Sequence, residues 1–136
     1  MSLPGEQPSA EGVSGPRVLV MEDDPSVRGL LQTLLTAEGY DVTTASDGLA
    51  GLVSASARPP ALVLLDLVMP DLGGLRVLEE LENDPQLSSV PVIVVTGQIE
   101  YVPQLRTRLG DNSVFVKPFG VTELLSRVAE LTNKAP

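Results

Sequence analysis

Five polar side chains stand at the ends of short aliphatic runs. Glu22 and Asp23 follow Val18-Leu19-Val20-Met21, Asp66 follows Ala61-Leu62-Val63-Leu64-Leu65, Thr96 follows Pro91-Val92-Ile93-Val94-Val95, and Lys117 follows Val114-Phe115-Val116. Brought together they would supply three carboxylates, a hydroxyl and an ammonium group. Crowded carboxylates raise one another's pKa values, so keeping three ionised calls for a cation between them. An all-oxygen ligand set completed by water selects a hard ion, and Mg2+ is the abundant candidate. Each residue also has an ordinary reading. Glu22-Asp23-Asp24 would serve equally as a solvated acidic loop, and Asp24, followed by Pro25, reads as a helix cap rather than a ligand. Asp66 alone could cap a turn, Lys117 alone could be a surface lysine, and Thr is common at strand ends. Against this, Asp66 is a charge at the mouth of an apolar strand. Lys117 is restrained between Phe115-Val116 and Pro118-Phe119, so it needs an anionic partner. Gly97, beside Thr96, leaves room for a ligand to approach the backbone.

What the chain lacks narrows the chemistry. With no Cys and no His among 136 residues, it can form no disulfide, thiolate metal site, thiol nucleophile, imidazole base or phosphohistidine of its own. Triad hydrolysis is excluded. The formal charge of −9, from 18 acids against 9 scattered bases, repels nucleic acid phosphates and speaks against direct DNA or RNA binding. No apolar run approaches the ~20 residues that span a bilayer, and the N-terminus lacks the charged and apolar regions of a signal peptide. The expectation is a soluble, cytoplasmic protein without membrane insertion. Its length suits one domain, because single cores typically run to ~100–200 residues.

The elements that must position these side chains follow from the hydrophobic pattern. Residues 1–16, rich in Pro and Gly and poor in large apolar groups, are expected to be a flexible leader ahead of a domain over residues 17–134. Residues 18–21 predict a strand covered on both faces. Pro25 opens a helix whose apolar stripe runs through Val27, Leu30, Leu31, Leu34 and Leu35 until Gly39 stops it. Residues 40–45 predict a more polar edge strand, and Asp47 caps a weak helix through about Ser56. Strands follow at residues 61–65, 91–95 and 114–116. Helices are predicted from Gly73-Gly74, from Pro103 to Gly110, and over residues 121–131. This alternation implies a parallel sheet with helices on both faces, because right-handed crossovers allow little else. Ligands in such sheets bind outside the carboxyl ends of the strands, where the strand order switches. All five polar residues fall on that edge.

In combination and order, Val18-Leu19-Val20-Met21-Glu22-Asp23-Asp24-Pro25, Leu64-Leu65-Asp66-Leu67-Val68-Met69-Pro70, Val94-Val95-Thr96-Gly97 and Val116-Lys117-Pro118-Phe119 resemble the motifs of a response regulator receiver domain. The resemblance implies a flavodoxin-like, doubly wound α/β fold, with a five-stranded parallel sheet in the order 2-1-3-4-5 and five helices. It implies that Asp66 accepts a phosphoryl group from the phosphohistidine of a sensor histidine kinase or histidine phosphotransfer protein, and that a conformational shift relays the signal to an effector domain or protein. Asp66 would be the nucleophile. Mg2+ held by Asp66, Asp23 and the backbone carbonyl of Val68 would neutralise the transferring oxygens, with Glu22 acting through metal-bound water. Lys117 would pair with Asp66 and then with phosphoryl oxygens, and the Thr96 hydroxyl would donate to another of them. The Lys117-Pro118 bond is expected to be cis, aiming Lys117 at the acid pocket. Such a domain is no ordinary enzyme, since it catalyses only its own phosphotransfer and dephosphorylation.

Some positions depart from the family pattern. Glu22 stands where Asp is frequent, Gly73 where Asp commonly precedes the Gly after Met-Pro, and Gly110-Asp111-Asn112-Ser113 where Gly-Ala-Asp-Asp is common. Pro103 is expected to shorten its helix. Val114 occupies the place of a Tyr or Phe whose rotation accompanies phosphorylation in the family; being short and stiff, it leaves the space either to Ile99 or Tyr101 or partly unfilled, with the active state then less favoured. A nucleotide or flavin binder on the same fold would need a Gly-rich, donor-bearing loop where Glu22-Asp23-Asp24 repels phosphate. A metal-dependent phosphatase would place a second Asp where Val68 stands. A degenerate receiver acting only as a protein docking module is the remaining alternative, opposed by the complete acceptor set.

Overall fold

The aliphatic runs become strands buried on both faces, and the amphipathic stretches become the helices that cover them. The computed structural model describes residues 15–133. In chain order the elements are β1 (Arg17–Met21), α1 (Pro25–Ala37), β2 (Asp41–Ala45), α2 (Gly48–Ala57), β3 (Leu62–Leu65), α3 (Gly74–Asn83), β4 (Val92–Thr96), α4 (Val102–Leu109), β5 (Val114–Val116) and α5 (Val121–Thr132). The strands form one parallel sheet in the order β2-β1-β3-β4-β5, the flavodoxin-like order expected. Because the chain runs from β1 outward to β2 and returns to the other side of β1 as β3, the order switches between β1 and β3. Residues 1–14 of the expected leader lie outside the described residues. The sheet's bonding reaches back to Pro16, whose carbonyl accepts from the Asp41 N–H at 3.0 Å.

Strand alternation divides the core in two. Leu19, Met21, Val63, Leu65, Val94 and Val114 pack with Ala55 of α2, Val77, Leu78 and Leu81 of α3, and Val102 and Leu105 of α4. Val18, Val20, Leu62, Leu64, Ile93 and Val95 face the other way, against Leu31 and Leu35 of α1 and Leu124 and Val128 of α5. With aliphatic side chains covered on both faces, a one-residue slip of any inner strand would exchange its two packing sets, which pins the register.

Local chemistry sets the helix ends. Asp24 accepts from the Ser26 N–H at 2.9 Å and Pro25 opens α1; Asp47 accepts from the Ala50 N–H at 2.7 Å at the start of α2. Gly73, at the N-cap of α3, has φ of 78°, a conformation a side chain would strain. Gly, standing where the family commonly has Asp, is the residue this backbone conformation favours. Several element ends shift by a residue or two from the sequence reading, and two of these shifts have a local cause. β2 begins at Asp41, because the Tyr40 N–H closes the end of α1 on the Leu35 carbonyl. α4 begins at Val102, running on from a 3-10 turn at Ile99–Tyr101, so Pro103 lies within its first turn, where no N–H partner is needed. A second 3-10 turn, Asp111–Ser113, leads into β5, and the Lys117-Pro118 peptide is cis. Among the described residues no helix is long and apolar enough to cross a membrane.

Candidate functional site

The sheet ladder carries the polar residues to one edge and continues just past the strands. The Glu22 N–H bonds to the Ala45 carbonyl at 3.0 Å, the Asp66 N–H to the Met21 carbonyl at 3.0 Å, and the Lys117 N–H to the Thr96 carbonyl at 2.8 Å. Three of the side chains are nearly sealed from solvent: Glu22 is 1% exposed, Asp66 4% and Thr96 0%. Glu22, Asp23 and Asp66 each offer a carboxylate oxygen, and these oxygens lie within 4.8 Å of one another. Lys117 Nζ donates to Glu22 Oε1 at 2.9 Å and to Asp66 Oδ2 at 3.2 Å. The other Asp66 oxygen accepts the Val68 N–H at 3.3 Å. Thr96 Oγ1 accepts the Gln98 N–H at 2.9 Å, which occupies a lone pair and leaves the hydroxyl proton to donate. Asp24 stands apart as the cap of α1.

Burial and crowding decide the charges. Burial pushes Glu22 up to about 7, with the neighbouring Asp66 adding to the rise, while Lys117 and the Asp24 N–H oppose it. Burial by itself lowers Lys117, but its hydrogen bond to Glu22 and the charges of Asp66 and Glu22 outweigh it, and its pKa lies above the ordinary lysine value. The sequence reading assigned Glu22 only to metal-bound water; its extra methylene also lets it bond Lys117 directly. When Glu22 is ionised, the three carboxylates against one ammonium leave an excess of two negative charges. All-oxygen donors with that excess suit a hard divalent cation.

Two residues around the site escaped the sequence reading. Asp71, in the loop after Asp66, accepts the Gly48 and Leu49 N–H groups, each at 2.8 Å, and so caps α2 from 22 to 23 residues away. The N–H groups of Leu49 and Gly48 hold its carboxyl below the usual range. Arg28, on α1, reaches back with Nη1 to the carbonyls of Glu22 at 2.9 Å and Asp23 at 3.2 Å. Pro70-Asp71 offered a weak turn signal in sequence; Arg28 offered none, since its partners are main-chain atoms.

Structures of the same shape point to one class. The receiver domain of a Pseudomonas aeruginosa sensor histidine kinase, solved with magnesium coordinated in its active-site cleft, matches with a TM-score of 0.79 at 25% identity, covering 89% of this chain and 100% of that one. A Francisella response regulator receiver domain matches with a TM-score of 0.76 at 28% identity, covering 88% and 98%. Sheet order and strand-end acids together define a receiver-type domain. Residues 18–129 match the response regulator receiver domain family, and the chain belongs to that family. The DNA-binding dual master transcriptional regulator RpaA of Synechocystis is 36% identical over 121 residues, 88% of this chain and 50% of the relative. A CpxR homolog from Haemophilus influenzae, a transcriptional regulatory protein, is 36% identical over 120 residues, 88% and 51% of the two chains. The chain spans about half the length of these relatives.

Proposed function

We propose that this receiver domain takes a phosphoryl group onto Asp66 from the phosphohistidine of a sensor histidine kinase or histidine phosphotransfer protein. The observation that carries the reading is Lys117 Nζ, 3.2 Å from Asp66 Oδ2, beside a carboxylate cluster whose oxygens lie within 4.8 Å of one another. A carboxylate oxygen of Asp66 attacks phosphorus; the P–N bond to the donor imidazole breaks and its electron pair leaves with the imidazole, giving an acyl phosphate. Lys117 then shifts its ion pairing from the Asp66 carboxylate to the phosphoryl oxygens, and the Thr96 hydroxyl donates a hydrogen bond to another of them. Glu22, Asp23 and Asp66, with the Val68 carbonyl, would hold Mg2+. When bound, the ion supplies neutralisation of the charge spread over the transferring oxygens. Hydrolysis of the acyl phosphate by water resets the domain.

The partners in this proposal are the phosphohistidine donor and a downstream effector domain or protein, and the place of action is the cytoplasm. At a formal charge of −9 the chain itself is a poor ligand for nucleic acid, whatever its longer relatives bind. The test is mass spectrometry after incubation with a small acyl phosphate and Mg2+. One added phosphoryl group is expected, absent without Mg2+ and absent in Asp66→Asn. Equal labelling of Asp66→Asn would remove the assignment, and no labelling of the parent would favour the docking-module reading.

A further inference from the structure

We propose that Arg28 is a positioning residue for the metal pocket, an inference that rests on the reading of Glu22, Asp23 and Asp66 as metal ligands. After Met21 the chain leaves the sheet, and α1 begins only at Pro25. The carbonyls between a strand end and a helix start belong to neither ladder, so they need other donors. Arg28 Nη1 carries two hydrogens and meets two acceptors, the Glu22 carbonyl at 2.9 Å and the Asp23 carbonyl at 3.2 Å. Its own N–H bonds the Asp24 carbonyl at 2.9 Å, so the side chain arches back across the cap from a fixed base on α1.

These two carbonyls belong to the peptide planes on either side of the Asp23 Cα. Peptides are planar, so fixing both planes fixes φ and ψ of Asp23 and with them the direction of its Cα–Cβ bond. The second plane does more. Its N–H, that of Asp24, donates to Glu22 Oε2 at 3.1 Å, while its carbonyl is held by Arg28. One guanidinium thereby sets the direction in which the Asp23 side chain leaves the backbone and holds the peptide whose N–H bonds Glu22. An arginine suits the task because it stays charged across the pH range and its donors are held in a plane.

Charge and geometry make opposite predictions for its removal. A nearby guanidinium repels a divalent cation, so on charge alone Arg28→Met should tighten metal binding. On positioning it should loosen it. The experiment is calorimetric titration of the full chain with Mg2+, for the parent, Arg28→Met, Arg28→Lys and Asp23→Ala, with circular dichroism to verify folding. We expect affinity about tenfold weaker in Arg28→Met, at the low end of what outer partners of metal ligands contribute, and partial recovery in Arg28→Lys. Affinity equal to or tighter than the parent in Arg28→Met, with binding lost in Asp23→Ala, overturns the inference and leaves the metal site standing. No Mg2+ binding by the parent overturns both. If Arg28→Met does not fold, Arg28→Lys decides: it keeps the charge but loses the planar fork, so weaker binding supports positioning and parent-like affinity overturns it.

Discussion

Glu22 carries a cost that a metal would offset. Its folded pKa of about 7 lies above the ordinary 4.5, so between those values the folded chain binds more protons than the unfolded one. Its contribution to stability is therefore complete below the unfolded pKa and is lost as pH rises through about 7. Lys117, shifted upward from 10.5, keeps its own contribution until well above that window. In chelator-treated protein, urea denaturation should show stability falling between about pH 5 and about pH 8, and Glu22→Gln should flatten the fall by removing the buried charge. Added Mg2+ should restore more stability at the higher pH, where the carboxylate is ionised. Identical losses in parent and Glu22→Gln would show that burial of Glu22 is not the cause.

Between elements, the backbone at the start of α3 packs closely beside the acceptor. A methyl group on Gly74 would overlap the Leu67 Cα and the Asp66 carbonyl oxygen, while the Gly74 N–H bonds the Leu67 carbonyl at 2.8 Å. Gly74→Ala should cost about 1–3 kcal/mol, the usual penalty of overpacking, and should slow labelling of Asp66 because the displaced backbone is its own. A parent-like melting temperature together with parent-like labelling would falsify this. Asp71 fastens the same loop to α2 through the Gly48 and Leu49 N–H groups. In Asp71→Ala those two amides should exchange faster with solvent and the chain should be less stable, since Asp47 still caps only the Ala50 N–H. Unchanged exchange at Gly48 and Leu49 would mean that the contact holds nothing.

At the scale of the whole molecule, if Asp66 is phosphorylated as proposed, the response is expected to pass from β4 to the face formed by α4, β5 and α5, with valine rather than an aromatic ring at position 114. Val114 pairs with Val94 in register and is 3% exposed in the core under α3 and α4. Phe115 cannot substitute, because strand alternation turns it to the opposite face, against the core of α1 and α5. Of the other candidates, Ile99 is 66% exposed whereas Tyr101 packs on the core that holds Val114. Valine has no second position to swing into. A shift in population is limited by the differential affinity of the two states, so coupling should be weak. Amide shifts over residues 98–109 and 121–131 on adding a phosphoryl mimic should be small in the parent and larger in Val114→Tyr. Large shifts already present in the parent, with nothing added by tyrosine, would overturn this account.

Strand-end chemistry was legible in sequence because burial on both faces writes strands as unbroken aliphatic runs, and the first polar residue after each run has only one place to be. Thus Glu22, Asp23, Asp66, Thr96 and Lys117 could be grouped, and the caps at Asp24 and Asp47 named, from local pattern alone. The strand order needed the family resemblance, since periodicity does not say which strands are neighbours. Only the tertiary structure could reveal that Glu22 bonds Lys117 across 95 residues, that Asp71 caps a helix beginning 23 residues earlier, or that Arg28 grips main-chain carbonyls. Local preferences act over a few residues and leave a mark on residue type. Contacts between remote segments arise when hydrophobic burial folds the sheet, and a carboxylate or guanidinium that finds a backbone partner there looks, in sequence, like any other charge on a solvated surface.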